Sequence, residues 1–81
     1  MDYTDRLDLL TQLILNVQTW NTRNDLLKLH GNMRKLAQQL SVAAVECRRL
    51  KKPTAAFVAL DAQFNEQYGE LEQWITFALL L

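Results

Sequence analysis

Residues 26–50 read LLKLHGNMRKLAQQLSVAAVECRRL, and the spacing of their apolar positions decides the fold. Leu26, Leu29, Met33, Leu36, Leu40, Ala43, Cys47 and Leu50 alternate steps of three and four without a miss. A seven-residue apolar repeat keeps one seam turned toward a neighbouring helix. A half-buried strand would instead alternate every second residue. The pattern predicts one long helix over about 25–51. Gly31 lies inside it and costs about 1 kcal/mol relative to alanine, so His30-Gly31-Asn32 is the alternative place for a break. The far end is better marked. Arg48, Arg49, Lys51 and Lys52 crowd it, and Pro53 stops it because the residue before a proline avoids the helical region.

Downstream of Pro53, Thr54 is a capping residue, and Phe57, Leu60, Phe64, Tyr68, Leu71, Ile75 and Ala78 form one stripe. This predicts a third helix over about 54–80, with Gly69 off the stripe. Upstream, Leu7, Leu10, Ile14 and Val17 form another stripe, widened by Leu13 and Trp20. A first helix over about 4–20 follows, capped by Thr4 or Asp2, with Asp5 and Asp8 complementing the positive end of its dipole. Asn21-Thr22-Arg23-Asn24 reads as the turn between the first two helices. Gly31, Pro53 and Gly69 are the only glycines and proline in 81 residues, too few for strands joined by turns. The expected fold is all-α: a single domain over 1–81, an antiparallel three-helix bundle with a long hairpin of the second and third helices and a shorter first helix.

Self-association is expected on two grounds. A single core in a domain this small supplies on the order of 3–5 kcal/mol. Neither a disulfide nor a zinc site of four protein ligands can add to it, with one cysteine, Cys47, and one histidine, His30. The helices also differ in length. At 1.5 Å per residue, the first leaves roughly 10–14 Å of the hairpin's far end uncovered. That end carries Cys47, Leu50, Phe57 and Leu60. A second apolar face, Trp74, Phe77 and Leu81 at i, i+3 and i+7, is rotated about 100° from the main stripe of the third helix. These seven residues are the candidate protein interface.

The chain offers little for catalysis. Cys47 and His30 are the sole nucleophile–base candidates, yet on one helix they stand about 25 Å apart. Glu66, Glu70 and Glu72 lie off the apolar stripe, without the histidine three residues on that a bundle metal site requires. There is no glycine-rich phosphate loop. The acidic start Met1-Asp2-Tyr3-Thr4-Asp5 is unlike a signal peptide, and an apolar run such as Phe77–Leu81 falls far short of the roughly 20 residues of a membrane span. With a lone cysteine, the expectation is a cytoplasmic protein that uses no membrane, cofactor, metal or small-molecule substrate.

Nine basic residues balance nine acidic ones, which lends no support to nucleic-acid binding, but the distribution is uneven. Arg34, Lys35, Arg48, Arg49, Lys51 and Lys52 sit on the second helix, while Asp61, Glu66, Glu70 and Glu72 sit on the third. The segment 36–50 also resembles a helix-turn-helix. Ala37, Leu40, Val42, Cys47 and Leu50 fall at its packing positions, and Glu46, Arg48 and Arg49 fall on its recognition helix. It departs from that motif where Ser41 replaces the turn glycine and where Ala43 and Ala44 replace the polar cap. The leading expectation is a non-catalytic protein–protein interaction module, a small homodimeric regulator, inhibitor or adaptor whose partners are itself and another protein. The alternative is a helix-turn-helix DNA-binding regulator, which requires a sharp bend at Ser41-Val42.

Overall fold

Asp2 opens the first helix with its carboxylate accepting the Thr4 N–H at 2.8 Å, and Asp5 lies in the first turn. A computed structural model describes residues 2–80 and places three helices there: α1 (Tyr3–Leu15), α2 (Trp20–Leu50) and α3 (Ala55–Leu80). They form the antiparallel three-helix bundle with the long α2–α3 hairpin. The position of Leu81, the last residue of the predicted aromatic face, lies outside the described residues.

The first connection differs from the expected one. α1 ends at Leu15 rather than near Trp20, and α2 starts at Trp20 rather than near Asp25. Asn16 and Val17 donate to the carbonyls three residues back, Leu13 and Ile14, at 3.1 and 3.0 Å, a tightened last turn. Asn16 favours such an ending because its side chain competes for backbone hydrogen bonds. Thr19 then takes an extended backbone, and its carbonyl accepts the Arg23 N–H. Asn21-Thr22-Arg23-Asn24 is therefore the first turn of α2, not a loop. Polar residues of this kind suit a helix start as well as a turn, and only packing distinguishes the two uses.

The shift has a consequence for burial. Leu7, Leu10, Ile14 and Val17 are buried as their spacing predicts, Val17 from the connection. Leu13 and Trp20, expected to widen the stripe, are exposed instead. α1 is too short to carry Trp20, which turns outward at the start of α2.

α2 runs unbroken through Gly31 and through Ser41-Val42. Ser41 simply returns its hydroxyl to the Ala37 carbonyl at 3.1 Å, as serine does inside a helix. The bend a helix-turn-helix demands is absent. The buried line of α2 is Leu26, His30, Met33, Ala37 and Leu40, with Leu36 beside it. Leu29, assigned to the seam by spacing, is nearly half exposed. α2 has two neighbours rather than one, so its core line leans from the ideal heptad toward α1. His30 shows why: its Nε2 donates to the Leu7 carbonyl at 2.7 Å and lies 3.1 Å from the Thr11 hydroxyl.

The hairpin closes at Lys51, whose φ of 57° is the left-handed conformation. Lys51 N–H reaches the Arg48 carbonyl and Lys52 N–H the Cys47 carbonyl, the paired bonds of a Schellman ending. Thr54 then caps α3, its hydroxyl accepting the Phe57 N–H at 3.1 Å. Phe64, Leu71 and Ile75 are buried, and Phe57, Leu60, Tyr68 and Ala78 pack partly buried against the core.

α1 is fastened to α3 near its N-terminus by a mixed aromatic and polar cluster. Tyr3 meets Phe64 edge-on, with centroids 4.8 Å apart. The Tyr3 hydroxyl donates a short hydrogen bond to Asp61. The Arg6 guanidinium lies 4.3 Å from the centre of the Tyr68 ring and donates to the Asn65 side-chain oxygen at 3.0 Å. On the tip side of this clamp α1 does not extend. No residue of α2 after Leu40 is buried, and none of α3 before Phe64. The molecule is a rod of 47 × 18 × 16 Å with a radius of gyration of 14.3 Å, where a compact chain of this length measures about 12 Å.

Candidate interaction surface

The two ends of the rod differ in chemistry. One end, the tip, is the bare hairpin of residues 41–60, two helices thick. The other, the base, gathers the end of α1, the start of α2 and the end of α3.

At the tip, the thiol of Cys47 is half-buried and accepts the Thr54 N–H at 3.3 Å, with the Thr54 hydroxyl 3.6 Å away. It helps close the hairpin, and on the unbroken α2 it stands about 25 Å from the buried His30. Phe57 and Leu60 are half-buried, and Leu50 is exposed as the last residue of α2. Val42, Val45 and Val58 are exposed beside them. All charge between residues 41 and 60 lies in Glu46, Arg48, Arg49, Lys51 and Lys52. Arg49 is engaged with Glu46 in a two-pronged ion pair, leaving Arg48, Lys51 and Lys52 as exposed cations. The basic side chains follow the helix C-terminus, where they complement its dipole. The other two predicted cations lie elsewhere. Arg34 pairs with Asp8 across to α1, and Lys35 lines a groove between α2 and α3. The six basic residues thus form no single stripe.

At the base, Trp74 is 62% exposed and Phe77 67% exposed. Trp20 joins them at 64%, with Leu13, Leu15, Leu79 and Leu80 also exposed. Trp74 forms one wall of a groove of about 550 Å³ on the side of the hairpin away from α1, floored by Met33, Leu36 and Leu71. Leu29 stands on the opposite wall, and Lys35, Gln63, Gln67 and Glu70 make the rim polar.

Of the seven predicted interface residues, Cys47, Leu50, Phe57 and Leu60 belong to the tip, Trp74 and Phe77 belong to the base, and Leu81 lies outside the described residues. Trp20, Leu13 and Leu29 were assigned to stripes by spacing and are surface instead. A signal for the base was nonetheless present in the sequence. Residues 9–22 and 73–81 contain no Asp, Glu, Lys or Arg, and antiparallel topology brings these two stretches to the same end.

Among the described residues, no group of three His, Cys, Asp or Glu side chains is placed to hold a metal ion. Glu66, Glu70 and Glu72 are exposed, and no described helix is long and apolar enough to cross a membrane. The Tyr3 phenol has a displaced titration. Its hydrogen bond to Asp61, helped by burial, pushes the phenol up to about 12. No protein-family description, curated protein or solved structure matches the chain.

Proposed function

We propose that the chain is a non-catalytic protein–protein interaction module that works as a homodimer, in the manner of a small regulator, inhibitor or adaptor. The observation that carries this reading is the large exposed apolar surface. Trp20, Trp74, Phe77 and Leu80 are each more than half exposed. The chain exposes 5783 Å², where a compact monomer of this mass exposes about 5,000 Å². The excess matches the roughly 800 Å² that each partner contributes to a standard protein interface. Exposed apolar patches of this size mark association surfaces, and association offsets the thin margin of a small core.

Light scattering across a dilution series tests the reading. A dimer that dissociates on dilution is the expected result. A strictly monomeric particle up to high micromolar concentration would sink it. The DNA-binding alternative loses its structural premise with the unbroken α2 and retains only the cations of the tip. An electrophoretic shift assay is therefore expected to show no retardation of duplex DNA at physiological salt.

A further inference from the structure

We infer that the partner is a second copy of this chain docked base to base, across the aromatic end centred on Trp74 and Phe77, with the two basic tips pointing apart. The inference rests on the proposed self-association and specifies its surface.

A two-fold interface presents the same patch to itself, so any charge near its centre meets a like charge. The tip is poorly suited to such a contact: Arg48, Lys51 and Lys52 are exposed there, and the one local anion, Glu46, is already engaged by Arg49. The base is suited to it. Charged residues are missing from 9–22 and from 73–81, and those are the stretches that antiparallel packing gathers at this end. Arg23, Asp25 and Lys28 on α2 and Glu70 and Glu72 on α3 flank these stretches with both signs, so a two-fold contact there does not set cations alone against cations.

The area is sufficient as well. Trp20, Trp74, Phe77 and Leu80 together leave on the order of 500–600 Å² of side chain uncovered. Leu13 and Leu79, each 42% exposed, extend the patch toward the size of a standard interface, about 800 Å² per partner. Two exposed tryptophans and a phenylalanine also supply the residue types that dominate binding energy at interface centres.

Sedimentation equilibrium on the full chain, alone and as variants, tests the assignment. Trp74→Glu and Phe77→Glu place a carboxylate opposite its own copy. Each is expected to weaken the dimer by at least about 30-fold while the helical circular-dichroism signal is retained, because both side chains lie outside the core. Leu50→Glu at the tip is expected to leave the dimer constant unchanged. A second readout needs no variant: Trp20 and Trp74 both lie at the base, so diluting the wild-type dimer shifts tryptophan emission to longer wavelength. A chain that is monomeric throughout overturns the self-association itself. A dimer that survives both base variants, shows no emission shift, or is weakened as much by Leu50→Glu overturns only the base-to-base docking.

Discussion

Lys51 is the residue whose backbone most plainly conflicts with its side chain. It holds φ at 57° with a full side chain, a conformation that costs a non-glycine residue roughly 1 kcal/mol or more. Its position is the one that ends a helix in a Schellman motif, where glycine is the usual occupant. Lys51→Gly is expected to stabilise the fold by about 1 kcal/mol, read as a higher denaturant midpoint at unchanged slope. Tyr3 makes a different prediction. Its phenol is held protonated by donation to Asp61, up to about 12 against an ordinary value of 10.0. A folded-state value above the unfolded one means the contribution is whole below pH 10 and disappears as pH climbs through 12. Urea midpoints taken across that window should fall more steeply for the wild type than for Tyr3→Phe. Equal slopes would mean that the hydrogen bond contributes nothing to folding.

At the scale of the element, α2 carries a glycine it does not need. Gly31 lies mid-helix with ordinary backbone angles, and a methyl group built on it meets no atom within 4 Å. Gly31→Ala should therefore add about 1 kcal/mol through helix propensity alone, detectable by thermal melting. Gly69 in α3 has the same open surroundings and should respond alike. The core reacts in the opposite sense. Phe64 is fully buried between Tyr3 and Tyr68, and it joins α3 to α1 where few other contacts do. Phe64→Ala costs on the order of 3–5 kcal/mol, about the whole stability of a domain this small. Loss of the cooperative unfolding transition is the expected outcome, and a variant that still melts sharply near the wild-type temperature would contradict this placement of the core.

For the whole molecule, the controlling feature is that burial is confined to part of the rod. Between Leu7 and Leu40 on one side and Phe64 and Ile75 on the other, three helices enclose a core. Beyond it two helices touch with no buried residue. Local opening free energy follows buried contact density. Amide hydrogen exchange should accordingly be fast through residues 41–60 and slowest around Met33, Leu40 and Leu71. Uniform protection along α2 would mean that the tip is covered in solution.

The fold class, the three stripes, the Thr54 cap and the stop at Pro53 follow from sequence because each rests on spacing along one helix or on a local hydrogen bond. The end of α1, the exposure of Trp20 and Leu29, and the burial of His30 and Ala37 do not, because each depends on which neighbour a helix faces. A heptad reports that a seam exists, and two unequal neighbours rotate it. The apolar surface of the base combines both origins. Its composition is written in two stretches far apart in sequence, and only antiparallel packing brings them to one end, where the apolar side chains left over from the core meet water together.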